Sequence, residues 1–306
     1  MIYTLTLNPS IDYVIDVENL ELGKVNRTSK DFKFPGGKGI NVSRILGNQK
    51  IDNIALGFLG GFTGKFIEDN LKALGVKTEF IKVKGDSRIN VKIKSNEETE
   101  INGAGPMITS EELDSLFNRL NQLVEGDILV LAGSIPSTLP KDLYLQIQKR
   151  VSKKNVKVVV DASGKALLEA IKNKPFLIKP NNHEIEEIFD VKINSEKELI
   201  KYGKDLVSLG AENVIISMAG DGALLITKDG VFKGNAPKGE VKNSVGAGDS
   251  LVGGFLAKYV ETKDLIASFK NGIASGSASA FSLDLALAED VNKLLPIIKI
   301  EKYEEV

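Results

Sequence analysis

The sequence predicts an α/β protein: a mostly parallel central sheet with helices on both faces, plus a small β-sheet projecting from it. Two observations predict the main body. Apolar runs of strand length alternate with amphipathic segments of helix length, the pattern of a parallel sheet whose crossovers are helical. Clusters of glycine fall at strand-to-helix or hairpin junctions. A third observation predicts the projection: two distant stretches alternate polar and apolar residues with period two, so each has one wet face and one dry face.

In chain order, residues 2–7 read as a strand and 39–46 as a helix opened by glycines. Residues 54–58 form a second strand and 65–74 a helix. The alternation returns at 127–131 (strand), 141–151 (helix), 156–160 (strand), 168–171 (short helix) and 176–178 (strand). The C-terminal third changes character. Strands at 214–217, 223–227 and 231–233 are joined by glycine turns, and the chain is then mostly helical from 245 to about 295. The period-two stretches are 13–17 with 27–34, and 88–94 with 99–102. Their alternation is that of antiparallel strands, and the two pair into one sheet, a lid formed by about 13–34 and 88–103. No repeat, low-complexity segment or linker interrupts the chain, so residues 1–306 are expected to form one domain carrying that lid.

Composition narrows the function. The chain is 42% hydrophobic and 26% charged, enough to bury a sizeable core. Forty basic residues against 41 acidic ones leave a formal charge of -1, which offers no overall field to nucleic acid or an anionic membrane. Anion binding must therefore be local. Without cysteine there is no disulfide, thiolate nucleophile or thiolate metal site. The N-terminus lacks a basic, targeting-type segment and no apolar run approaches a bilayer span, so a cytoplasmic protein is expected. The single histidine, His183, lies in a polar stretch and is read as a surface residue.

Three glycine clusters are candidates for ligand contact. Gly36-Gly37-Lys38-Gly39-Ile40-Asn41 precedes a helix, and the same string also suits a tight turn capping that helix. Ser217-Met218-Ala219-Gly220-Asp221-Gly222 lies between two strands, where Asp-Gly by itself makes a good hairpin. The sharpest is Asn243-Ser244-Val245-Gly246-Ala247-Gly248-Asp249-Ser250, ahead of the helical run 251–260. Small residues there let successive N–H groups converge at a helix N-terminus, where the dipole favours an anion. Asp249 sits beside that anion. Capping alone would explain the aspartate, but not glycine at both 246 and 248. No Gly-Lys is followed by Ser or Thr, so there is no Walker A loop, and the glycine spacing is not that of a dinucleotide site.

Together these residues closely resemble the PfkB (ribokinase-like) family of carbohydrate kinases, over essentially the whole chain. Asn8-Pro9-Ser10-Ile11-Asp12 resembles its substrate motif, and 36–41 and 244–249 its two signatures. Lys179-Pro180-Asn181-Asn182-His183-Glu184 is similar to its Asn-x-x-Glu element, and 217–222 to its nucleotide loop. Asn-Pro-Ser-Ile-Asp at 8–12, Arg88-Ile89-Asn90 and Gly133-Ser134-Ile135-Pro136 resemble the branch acting on phosphorylated ketohexoses. Asn243 stands where many nucleoside and ribose kinases carry aspartate, which fits that branch. Ser244 departs mildly from the usual threonine.

The resemblance implies a ribokinase-like fold and ATP-dependent phosphorylation of a ketohexose monophosphate. Fructose 1-phosphate, giving fructose 1,6-bisphosphate, comes first; tagatose 6-phosphate, giving tagatose 1,6-bisphosphate, is the alternative. Asp249 would be the catalytic base, with the N–H groups of Gly246, Ala247 and Gly248 as an anion hole. Asp12, Gly37, Asn41 and Asn90 would hold the sugar, and Arg27, Lys38, Arg88 and Ser134 its existing phosphate. ATP would lie against Lys179, Asn181, residues 217–222 (Ser217, Met218, Ala219, Gly220, Asp221, Gly222), Gly248 and Asp249. Mg²⁺ would reach Asn181 and Glu184 mainly through water, and the resemblance leaves room for a monovalent cation. The expected partners are small molecules, with neither nucleic acid nor membrane, and an apolar lid face allows a homodimer. A sensor on this fold would not need Asp249 and its glycines, and a nicotinamide-dependent enzyme would need the missing dinucleotide fingerprint.

Overall fold

The computed structural model describes residues 1–303. Strand β1 (Ile2–Thr6) is buried along its whole length and lies inside a ten-stranded sheet. From β1 the chain leaves the sheet to make β2 (Ser10–Asp16) and β3 (Lys30–Gly36), then returns through helix α1 (Lys38–Asn48) to β4 (Asn53–Leu59). Helix α2 (Gly61–Ala73) leads to the edge strand β5 (Lys77–Lys82). A second excursion makes β6 (Arg88–Lys94) and β7 (Thr99–Asn102), and α3 (Ser110–Leu120) brings the chain back to β8 (Ile128–Ala132). Helix α4 (Leu143–Val151), β9 (Lys157–Asp161), α5 (Gly164–Ile171) and β10 (Leu177–Ile178) continue the alternation. Helices α6 (Asn182–Phe189) and α7 (Glu196–Leu209) then lead to β11 (Asn213–Ser217). From β5 to β11 every pairing in the large sheet is parallel. Beyond it β12 (Ala223–Thr227) and β13 (Gly230–Gly234) add antiparallel strands. Helices α8 (Ala247–Thr262), α9 (Leu265–Ala280) and α10 (Ala288–Leu294) follow, and β14 (Ile300–Lys302) closes the edge.

The central parallel strand β8 reads as an unbroken apolar run because both of its faces are covered. In β8, Leu129 and Leu131 point into one core with Leu5, Leu56, Tyr144 and Ile147. Ile128 and Val130 point into the other, with Phe255 and Phe269 from α8 and α9. Each such side chain removed from water contributes about 1.5–3 kcal/mol, so the alternation along one strand fixes which helices cover each face. Among the described residues, no helix is long and apolar enough to cross a membrane.

Several elements went unassigned in the sequence. Helix α3 has a capping box between Thr109 and Glu112 and buries Leu116, Phe117 and Leu120 at helical spacing. Helix α7 buries Leu199, Ile200, Gly203 and Leu206 behind the Ser195 cap. Both are strongly polar outside, which hid their narrow apolar stripes.

The small sheet has the order β3-β2-β6-β7. The two distant stretches do form one sheet, but it is not wholly antiparallel. Strands β2 and β6 pair parallel, with Asp12 opposite Asn90, and this joins two antiparallel pairs. Alternation reports only that one face is dry, and a parallel pair at the centre of a half-exposed sheet satisfies it equally. Strands β6 and β7 have the predicted bounds, but β2 begins at Ser10 and β3 at Lys30, so Arg27 falls in the connection between them.

Candidate active site

The carboxyl ends of the parallel strands open into one cleft of about 1270 Å³, where an open α/β sheet binds its ligands. Chain leaving β1 brings Asn8 and Asp12; Gly133 and Ser134 follow β8; Ala162 and Ser163 follow β9, with Asp161 buried behind them; Lys179 follows β10; Ser217 ends β11. The small sheet contributes Arg88, Asn90 and Lys92 to the opposite wall.

At the floor is the N-terminus of α8. Gly246 is its N-cap with φ 77°, in the left-handed region that favours glycine, and a Cβ there would meet Leu285 at 2.8 Å. The N–H of Ala247 donates to the Ser244 carbonyl at 3.3 Å. Those of Gly248 and Asp249 lie in the first turn, where the helix itself supplies no acceptor. Asp249 is 7% exposed, and its Oδ2 accepts a 2.7 Å hydrogen bond from the Asn41 side chain on α1. Burial pushes its carboxyl up to about 6; the nearby Asp161 charge adds to this, against the pull of Lys38, Asn41 and Lys179.

Asp161 is a site residue that the sequence reading missed. It is fully buried and faces two lysines, Lys38 Nζ at 2.9 Å and Lys179 Nζ at 3.6 Å, while its Oδ2 has no hydrogen-bond partner. Burial works to raise its carboxyl, but Lys179 and Lys38 outweigh burial and hold it below the usual range. Asp161 in turn raises Lys38, which also approaches Glu184 at 3.9 Å. An acid ending a parallel strand on the ligand side was the available signal.

On the small-sheet wall, Asp12 Oδ1 accepts from the Ser10 hydroxyl at 2.8 Å and from the Asn90 amide at 3.1 Å. Its Oδ2 faces Lys92 Nζ at 3.6 Å. Arg88 lines the cleft, but its Nε donates to the Asn8 carbonyl at 3.0 Å and one terminal nitrogen to the Gly103 carbonyl at 3.3 Å. It therefore ties the crossing from β1 to β2 to the crossing that follows β7. Gly37 and Ser134 also line the cleft. The glycine next along serves packing: a Cβ on Gly39 would meet Thr6 Oγ1 at 2.4 Å.

The proposed nucleotide loop joins β11 to β12, a hairpin as its sequence allows, and it also lines the cleft through Ser217, Met218, Ala219, Gly220 and Gly222. Asp221 is not among the lining residues. Asn181 lines the cleft, with its side chain accepting from Glu184 N and its own N–H donating to Glu184 in a capping box on α6. Glu184 lies behind that lining. His183 is exposed at the rim and pairs with Glu186. Arg27 is exposed and lies outside the cleft of this chain. Among the described residues no cluster of three acids or histidines could grip a metal directly.

This arrangement can hold a polyanion at a helix N-terminus between lysines, and set a hydroxyl against a buried carboxylate. Known proteins of that type are similar to this chain throughout. The 1-phosphofructokinase of Bacillus subtilis is 53% identical over 99% of this chain and all of its own length. That of Borreliella burgdorferi is 45% identical over 98% of both. A tagatose-6-phosphate kinase of Staphylococcus epidermidis is 34% identical over 92% of both. Phosphofructokinase-2 of Escherichia coli, solved with substrates and products, superposes with a TM-score of 0.92 at 27% identity, over 97% of this chain and 98% of that one. That enzyme has also been solved with potassium and as a tetrameric inhibited form. The model of the pfkB family of carbohydrate kinases matches residues 5–289, and with the whole-length relatives it shows that this chain belongs to that family.

Proposed function

We propose that this protein transfers the γ-phosphoryl group of ATP to fructose 1-phosphate, forming fructose 1,6-bisphosphate in the cytoplasm. The observation that carries this reading is the opposition, across one cleft, of Asp12 on the small sheet and Asp249 at the N-terminus of α8. One carboxylate grips hydroxyls and the other takes a proton. The choice of sugar is supported by the two full-length 1-phosphofructokinases, which are more similar to this chain than the tagatose-6-phosphate kinase is. Tagatose 6-phosphate is the second reading, on the strength of that 34% relative.

In this reading Asp12 accepts from two sugar hydroxyls while Asn90, Gly37 and Asn41 complete the grip. Arg88 and Ser134 face the existing phosphate, and Lys38 sits between the two ends of the cleft. Asp249, oriented by Asn41, accepts the proton of the attacking hydroxyl as the bond to phosphorus forms. The free first-turn N–H groups of α8 hold the transferring phosphoryl oxygens, and Lys179 lies alongside. Closure of the small sheet as a lid would exclude water, the competing acceptor. Arg27 has no place in this scheme within one chain. Asn181 and Glu184 suit Mg²⁺ bound through water, because their side chains are already engaged in each other's cap bonds. A Mg²⁺ held there would supply positive charge against the phosphates of ATP. A monovalent cation belongs to the same reading, supported by the potassium complex of the Escherichia coli relative. So does a homodimer through the lid, supported by the exposure of Ile89 and Ile101 on one face of the small sheet.

The test is an ADP-release assay across fructose 1-phosphate, tagatose 6-phosphate, fructose 6-phosphate and free fructose. The highest kcat/KM is expected with fructose 1-phosphate. A preference for free fructose would overturn the phosphosugar assignment and leave the kinase assignment standing.

A further inference from the structure

The cleft-facing side of the small sheet carries a row of charge that phosphoryl transfer does not explain. Asp12 on β2, Lys92 on β6 and Glu100 on β7 all line the cleft, and Lys92 and Glu100 are directly opposite in register. The Lys92 side chain is 8% exposed, an unusual state for a lysine without a partner. Its Nζ lies 3.6 Å from Asp12 Oδ2 and 3.6 Å from Glu100 Oε1. Both separations exceed a good hydrogen bond, so the ammonium acts as a point charge shared between two carboxylates.

Three other cations lining this cleft already have protein partners. Arg88 donates to two main-chain carbonyls, and Lys38 and Lys179 face Asp161. Asp12 must keep Oδ2 free to accept sugar hydroxyls, since Oδ1 is already occupied by Ser10 and Asn90. A sugar phosphate brings about two further negative charges at neutral pH. Without Lys92 that anion would enter against two uncompensated carboxylates in a partly dehydrated wall, where like charges are least screened.

We propose that Lys92 is a specificity-determining positioning residue: by offsetting Asp12 and Glu100 together, it lets an acidic sugar grip admit an anionic sugar. This rests on the phosphosugar reading above. The same geometry assigns Glu100 the role of tuning: it draws part of the lysine's charge away from the sugar site and adds a negative charge of its own at the rim.

The experiment compares Lys92→Met, Lys92→Arg, Glu100→Gln and the double variant Lys92→Met/Glu100→Gln in ADP-release kinetics with fructose 1-phosphate. Lys92→Met is expected to raise KM for the sugar phosphate about 10- to 100-fold, with kcat and KM for ATP within about threefold, the split expected from lost ground-state binding. Lys92→Arg should recover most of that loss. Adding Glu100→Gln to Lys92→Met should recover about fivefold or more, because it removes one of the two charges left without a partner. A lysine that merely holds the sheet together would show no such rescue. Glu100→Gln alone should lower KM about two- to fivefold, and this arm does not depend on the folding of a protein that has lost a buried lysine. A double variant no better than Lys92→Met, or an unchanged or raised KM in Glu100→Gln, overturns the proposal. Wild type that turns over fructose 1-phosphate while these arms fail leaves the phosphosugar reading intact. Wild type that prefers free fructose removes both.

Discussion

The side chain of Asn41, on the helix that follows the first glycine cluster, donates a 2.7 Å hydrogen bond to Asp249, 208 residues away. Both residues are buried, and the bond joins helix α1 to the N-terminus of helix α8. It fixes the direction in which the carboxylate points, and this is what a base that only has to be well placed requires.

Replacing Asp249 with Asn keeps the size of the side chain and an acceptor for Asn41, but removes the basic group. The expected result is a fall in kcat of roughly 10² to 10⁴, with KM for both substrates within about tenfold. Turnover within threefold of wild type would show that Asp249 is not the base.

The same substitution carries a stability signature. Because burial raises the Asp249 carboxyl from 3.8 to about 6, the protonated form is the one the fold prefers. Its contribution to stability is complete below about pH 4 and is lost as pH rises through about 6. Asn does not titrate. The stability of the variant relative to wild type is therefore expected to climb by up to about 3 kcal/mol between pH 4 and pH 7 and then level off. Urea unfolding at a series of pH values measures it, and a difference independent of pH would rule out a strongly raised carboxyl.

Asp12→Ala leaves sugar hydroxyls without their acceptor, and frees Ser10 and Asn90 from theirs. KM for the sugar phosphate is expected to rise at least tenfold more than KM for ATP. Equal effects on both substrates would indicate that the small sheet had simply come apart.

Arg88 has two candidate roles, phosphate clamp and tie between the chain before β2 and the chain after β7, and one substitution separates them. If its remaining donors clamp the phosphate, Arg88→Ala should lower kcat/KM for fructose 1-phosphate by about 30- to 1000-fold, corresponding to roughly 2–4 kcal/mol. The slow reaction with free fructose should change far less, having no anion to clamp. Parallel losses on both sugars would assign Arg88 to the tie alone, through its bonds to Asn8 and Gly103.

Much of this protein follows from its sequence because the decisive signals are local. An unbroken apolar run such as that of β8 can be covered only from both sides, so it points to a buried parallel strand. The run from Gly246 to Asp249 names a helix N-terminus open to an anion, because the backbone there must adopt φ 77° and carry no bulk. What only the tertiary structure decided is which charges meet. Asp161 between Lys38 and Lys179, Lys92 between Asp12 and Glu100, the turning of Arg88 onto two carbonyls and the parallel pairing of β2 with β6 leave no periodic trace along the chain. Periodicity records which face of an element is dry. A Coulomb interaction depends on distance through space, and residues 80 or more apart in sequence acquire that distance only when the strands bearing them are laid side by side.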